Sequence, residues 1–141
     1  SMRETVNVLI ADDYVHNREL HKLLLEREGV VVSLATNGRE ALQKYKENGN
    51  GYYDFILMDV QMPEMDGFTS AKEIREWEQN NGWNQAHIYF VSGEYYSEDE
   101  VLTSLQRSQG RSVDMTGLFS LRKPIDIQII RRVLHKYKKQ D

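Results

Sequence analysis

Three aspartates, a serine and a lysine stand where short apolar runs give way to polar segments: Asp12-Asp13, Asp59, Ser92-Gly93 and Lys123-Pro124. Each alone has an ordinary explanation, since an acidic residue after a strand opens a turn or caps a helix, and Ser-Gly is common loop material. Placed together at the ends of different strands they read as a site, because clustered like charges cost stability unless a cation or a substrate compensates them. Mg²⁺ suits that role: it takes oxygen ligands in near-octahedral geometry, typically one or two carboxylates with waters and phosphate oxygens. Asp12, Asp13 and Asp59 could supply the carboxylate part. A transferring phosphoryl group carries negative charge on its equatorial oxygens, which the metal, the Lys123 ammonium and the Ser92 hydroxyl would stabilise from different sides. Asp59 is then the candidate nucleophile. An aspartate is ionised at neutral pH without a general base, but its charge must be masked before it meets an anion.

The elements that must position these groups are five apolar runs alternating with segments of helical period, the pattern of a parallel sheet covered on both faces. Val6 to Ala11, Val30 to Ala35, Phe55 to Met58, Ile88 to Val91 and Leu118 to Leu121 are the predicted strands, rich in β-branched or aromatic residues. Leu20, Leu23 and Leu24 give the first helix an apolar face and Gly29 ends it. Asn37-Gly38 predicts a turn before a helix marked by Ala41, Leu42 and Tyr45, which runs to the helix-breaking stretch Asn48-Gly49-Asn50-Gly51. Phe68, Ala71 and Ile74 mark the third helix. Ser97 and Glu100 form a capping box for the fourth, with Val101, Leu102 and Leu105 as its buried stripe. Ile127, Ile130, Val133, Leu134 and Tyr137 recur at helical spacing in the fifth. In such a sheet the ligand site lies beyond the carboxyl ends of the strands, where the strand order reverses.

Composition narrows the function classes. The 141 residues are expected to form one domain over 3–141, and Ser1 before Met2 reads as the remnant of a cleaved expression tag. Twenty-two acidic against eighteen basic side chains give a net charge of -4, and no stretch concentrates Lys and Arg, so nucleic acid is not an expected partner of this domain. The absence of cysteine excludes a disulfide framework, a thiolate metal site and a cysteine nucleophile, and fits a reducing compartment. Apolar runs such as Val8 to Ala11 are too short to cross a bilayer, so no membrane contact is expected and the domain is expected in the cytoplasm or on the cytosolic side of a membrane-bound parent.

Two segments carry a family resemblance. Leu57-Met58-Asp59-Val60-Gln61-Met62-Pro63-Glu64-Met65-Asp66-Gly67 resembles the phosphoacceptor segment of the receiver (response-regulator) domains of two-component phosphorelays, and Lys123-Pro124-Ile125 resembles their fifth-strand exit. Asn17-Arg18 after the acidic pair adds to a similarity that covers nearly all of Val6 to Tyr137. The resemblance implies a flavodoxin-like α/β fold, a (βα)5 three-layer sandwich with a parallel sheet of order 2-1-3-4-5. It implies that Asp59 accepts phosphate from the phosphohistidine of a histidine kinase or histidine phosphotransfer protein. It further implies that Asp12, Asp13, Asp59 and the backbone carbonyl of Gln61 hold Mg²⁺, while Ser92, Lys123 and the Gly93 backbone contact the phosphoryl group. The wording of the motifs is similar to receivers of hybrid histidine kinases, which implies a kinase core upstream, and the isolated domain would promote its own phosphorylation and dephosphorylation.

Two departures from the family pattern concern the switch. Receivers usually place an aromatic residue three positions before the lysine; here that position is Ser120, with Phe119 one earlier. Both are switch candidates together with Ser92, and the expected response to phosphorylation lies in Gly93 to Ser97 and the fourth helix. The segment from Ser92 to Lys123 is also long, with Gln109 to Asp114 as expected extra loop.

Other readings are weaker. A haloacid-dehalogenase-like phosphatase needs a second aspartate two residues after its nucleophile, where this chain has Gln61, which has no titratable proton. A pseudo-receiver that serves only protein contacts would not need the intact acidic set. A flavodoxin would meet its FMN phosphate with Asp12-Asp13, which repel it. His16, His21, His87 and His135 share no spacing and read as surface or packing residues. Tyr95-Tyr96 after the fourth strand divide evenly between rim packing and partner recognition.

Overall fold

A computed structural model describes residues 5–106 and 114–138. Strands β1 (Asn7–Ala11), β2 (Val31–Ala35), β3 (Phe55–Asp59), β4 (His87–Ser92) and β5 (Leu118–Arg122) alternate with helices α1 (Val15–Arg27), α2 (Gly38–Asn48), α3 (Gly67–Asn81), α4 (Glu98–Gln106) and α5 (Ile127–His135). All five predicted strands are present, each end within one residue of its expected place. They pair in parallel in the order β2-β1-β3-β4-β5, the expected flavodoxin-like arrangement. The register sets Ala11 beside both Ala35 and Met58, and Asp59 beside Val91, so the polar residues that end β1, β3 and β4 emerge at one edge of the sheet. The order reverses between β1 and β3, and this is where Asp12 and Asp59 lie.

Alternation along the central strands sends side chains to two cores. Leu9, Ile56, Met58, Ile88 and Phe90 pack with Tyr45, Ala71, Ile74 and Leu105 from α2, α3 and α4. Val8, Ile10, Phe55, Leu57, Tyr89 and Val91 pack with Leu25 of α1 and Ile130, Val133 and Leu134 of α5. β1 and β3 are buried along their full length, which explains why they read as continuous apolar runs.

Three local expectations need correction. Leu20 and Leu23 do not form the buried face of α1: they are 49% and 47% exposed, and His21 and Leu25 point inward instead. Asn37-Gly38 is a helix start rather than a free turn, since the Asn37 side chain accepts the Glu40 N–H and Gly38 already belongs to α2. Leu102 is only half-buried beside the buried Val101 and Leu105. The capping box of α4 is reciprocal as expected: Glu100 N–H donates to Ser97 Oγ and Ser97 N–H to Glu100 Oε1, both at 3.2 Å. Of the expected loop from Gln109 to Asp114, residues 109–113 lie outside the described residues.

Candidate functional site

The acidic pair is built by β1 running out into α1. Asp12 is buried; its Oδ1 accepts the Tyr14 N–H at 2.9 Å, and its backbone carbonyl accepts the Arg18 guanidinium at 2.8 Å. Its backbone N–H donates to Ala35, at the end of β2. Asp12 is thus clamped from both sides while Asp13 remains exposed. Asp59 ends β3 almost fully buried, with Oδ1 3.2 Å from Lys123 Nζ, and the same ammonium lies 3.9 Å from Asp12 Oδ2. Lys123 is brought in by β5, whose exit is tied to β4 by a bond from Lys123 N–H to the Ser92 carbonyl. One oxygen from each of Asp12, Asp13 and Asp59 lies within 4.8 Å of the others. Burial pushes the Asp59 carboxyl up to about 6, the neighbouring Asp12 charge adds to the rise, and Lys123 opposes it.

Three carboxylates facing one ammonium leave negative charge uncompensated, and every available donor is oxygen. That chemistry fits a hard divalent cation such as Mg²⁺: Asp13 stands exposed, while Asp12 has one oxygen engaged by Tyr14 N–H and Asp59 one by Lys123, leaving each a second oxygen to offer.

The loop after Asp59 is held by contacts that sequence reasoning missed. Gly67 N–H donates to the Val60 carbonyl at 2.8 Å, and a Cβ on Gly67 would lie 2.1 Å from the Asp59 carbonyl oxygen. Only glycine fits there. Gly38 makes a second close approach: its N–H bonds to the Met65 carbonyl, and a Cβ would lie 2.5 Å from that oxygen. The available signals were Asp66-Gly67 ahead of an apolar helix and Gly38 at a helix start, but nothing local names their distant partners. The loop leaves Gln61 exposed at the rim of an open cavity of about 640 Å³, lined also by Asp13, Met62, Pro63, Phe68 and Tyr96.

Ser92 is buried at the end of β4, and its hydroxyl accepts the Glu94 N–H at 3.1 Å. Gly93 beside it is exposed, with nothing within 4 Å of where a Cβ would be. The two β5 switch candidates differ in setting. Phe119 packs into the core beneath α1 and α5, stacked on Tyr89 with ring centroids 4.6 Å apart, and Lys136 Nζ lies 5.1 Å from its ring. Ser120 is exposed and pairs in register with Phe90, whose ring lies in the opposite core.

The histidines take no shared position. His21 is a buried packing residue whose imidazole burial pushes below its ordinary range, against the pull of Asp12; His16, His87 and His135 are exposed.

The family described as "Response regulator receiver domain" matches residues 8–134. Among curated proteins, the chain is 41% identical over 83 residues to "Hybrid signal transduction histidine kinase K" of Dictyostelium discoideum, covering 59% of this chain and 7% of that one. It is 29% identical over 132 residues to "Hybrid signal transduction histidine kinase L" of the same organism, covering 94% of this chain and 7% of the kinase. Among solved structures, it aligns with a TM-score of 0.77 and 25% identity to a chain of the "Co-crystal structure of the Saccharomyces cerevisiae histidine phosphotransfer signaling protein Ypd1 and the receiver domain of its downstream response regulator Ssk1", covering 98% of this chain and 92% of that chain. The "CheX-CheY-BeF3-Mg+2 complex from Borrelia burgdorferi" aligns with a TM-score of 0.71 and 26% identity, covering 95% and 90%. The chain thus spans a small fraction of the hybrid kinases it resembles and nearly all of the receiver chains.

Proposed function

The chain belongs to the response regulator receiver family and is a receiver domain of a His-Asp phosphorelay, and from that premise we propose that Asp59 is the residue that takes the phosphoryl group. The observation that carries this reading is the position of its carboxylate: at a strand end, 3.2 Å from the Lys123 ammonium and within 4.8 Å of two other aspartates.

Each residue then has a role set by its place. An Asp59 oxygen attacks phosphorus, the P–N bond to the donor imidazole breaks, and its electron pair leaves with the imidazole. Lys123 holds a cation at the oxygens that gain negative charge. The Ser92 hydroxyl, now an acceptor for Glu94, has a proton to donate to a phosphoryl oxygen, with the Gly93 backbone beside it. Asp12, Asp13, Asp59 and the Gln61 carbonyl would hold Mg²⁺, which when bound masks the aspartate charge and binds phosphoryl oxygens. Arg18 and Tyr14 keep Asp12 oriented toward that position.

The donor is a phosphohistidine on a histidine kinase or a phosphotransfer protein, a reading supported by the structural neighbour crystallised with such a carrier. The hybrid kinases among the relatives support a parent chain with a kinase core. Among the described residues no helix is long and apolar enough to cross a membrane. Transfer from a radiolabelled phosphohistidine carrier tests the assignment: label should reach this chain only with Mg²⁺ present. Equal transfer in EDTA would overturn the metal's role.

A further inference from the structure

The acidic site opens on one side into a cleft that holding a metal and a phosphoryl group does not fill. The open cavity of about 640 Å³ that begins at Asp13 and Gln61 extends past Met62 and Phe68 to Ser104 on α4. One wall is a fixed stack of rings: Tyr96 packs edge-on against Phe68 at 5.5 Å and 88°, and Phe68 rests on the buried Phe90 at 4.8 Å. Tyr96, Phe68 and Met62 are all half-buried, so apolar and aromatic surface faces a space that is open to solvent.

The charge of this cleft has one sign. Asp13 and Asp66 line it; among the described residues no Lys, Arg or His does, and neither carboxylate has an ion-pair partner. Asp66 Oδ1 accepts the Thr69 N–H at 2.8 Å, which leaves Oδ2 to offer, and Asp13 is exposed beside the metal position. A neighbouring cavity of about 240 Å³ that shares Tyr96 is lined by Arg122 and Arg132 as well as by Glu94. The imbalance therefore belongs to the cleft and not to the whole rim.

We propose that the cleft receives an arginine or lysine side chain that the donor protein carries next to its phosphohistidine. The inference rests on Asp59 as the acceptor, because a donor imidazole that reaches Asp59 brings the surface around it over the rim at Gln61. A long cationic side chain suits what it meets there. Its aliphatic stem covers Met62 and Phe68, while its head group lies against the Tyr96 ring and the second oxygen of Asp66. Arginine fits best, since a planar guanidinium stacks on a ring and bonds a carboxylate at the same time. An anionic side chain is repelled by the two carboxylates, and an uncharged one leaves Asp66 without a partner. Because the side chain arrives tethered to the imidazole, even a weak contact favours its donor at the acidic site, and the cleft selects among donors.

Helical phosphohistidine peptides that carry Arg, Leu or Glu one turn from the phosphohistidine, and are otherwise identical, test the cleft in the presence of Mg²⁺; acetyl phosphate tests the acceptor. Intact mass gives the labelling rate. The native chain should take label from the Arg peptide about fivefold faster than from the Leu peptide, the order of a cation partly desolvated on a ring, and slowest from the Glu peptide. Ser104 Oγ donates to the Glu100 carbonyl of its own helix, so its replacement alters the cleft wall without touching the acidic site. Ser104→Lys should remove the preference for Arg over Leu, and Ser104→Glu should raise it. Gln43→Lys adds the same charge at an exposed position on α2 and should leave the preference unchanged. Equal rates with the Arg and Leu peptides, a preference untouched in a folded Ser104→Lys or Ser104→Glu variant, or labelling by acetyl phosphate with none by the Arg peptide overturns the cleft assignment. Absence of label from every donor contradicts Asp59 as the acceptor instead, and the inference falls with it.

Discussion

Asp59 and Glu78 are both carboxylates in the interior, 7% and 2% exposed, yet their surroundings differ in kind. Glu78 is fully provided for: Tyr45 Oη donates at 2.6 Å and the Ala86 N–H at 2.7 Å to one oxygen, and Arg75 donates at 2.9 Å to the other. These partners come from α2, α3 and the approach to β4, so the carboxylate joins three elements. Burial and the adjacent carboxylate hold the Tyr45 hydroxyl protonated far above its ordinary range. Asp59 has one cation and two further carboxylates for company, and its own ionisation is pushed upward. A satisfied buried charge braces the fold; an under-compensated one is held ready for something that arrives from solution.

The largest expected effect follows from breaking the satisfied member. Glu78→Ala leaves Arg75 and the Ala86 N–H without their acceptor in the interior and should cost about 3–5 kcal/mol of folding stability. Urea unfolding measures it. A loss under about 1 kcal/mol would mean that water replaces the carboxylate freely and that the contrast with Asp59 is not one of satisfaction.

The opposite sign is expected at the under-compensated member. Because the folded-state pKa of Asp59 is raised to about 6, its contribution is fully present below about pH 4 and is lost as pH rises through 6, where the folded carboxyl ionises at a cost. Asp59→Asn should therefore stabilise the metal-free protein at pH 7 by on the order of 1–2 kcal/mol, less than the shift alone implies because Lys123 loses its partner. The gain should vanish near pH 4. Paired urea titrations in EDTA at the two pH values check this, and a pH-independent loss of stability in the variant would contradict it.

Asp13 shares the site with Asp59 while standing in solvent. Asp13→Asn should weaken Mg²⁺ roughly tenfold, about 1.4 kcal/mol, as measured by calorimetry. Metal-free thermal stability should hold or rise. A marked fall would identify Asp13 as a structural cap, as Asp66 is for α3 through its bond from Thr69 N–H.

Sequence patterning exposed the sheet and the site for the same physical reason: buried parallel strands are continuous apolar runs, and the residues that interrupt them sit at strand ends. Asp12, Asp13, Asp59, Ser92 and Lys123 were therefore visible, and the structure brings them together. The face of α1 was not. His21 is buried while Leu20 and Leu23 face outward, and an apolar count cannot distinguish a core leucine from one left on the surface. Glu78 was hidden because its main partner, Tyr45, lies 33 residues away on another helix. Gly38 and Gly67 escaped for a related reason: each is required by a backbone oxygen that only the folded chain brings near.

Intact mass after incubation with acetyl phosphate and Mg²⁺ shows whether Asp59 is the phosphoryl acceptor. The native chain should gain one phosphoryl group with Mg²⁺ and none in EDTA, and Asp59→Asn none under either condition. Labelling of Asp59→Asn to the native extent would place the acceptor on another residue.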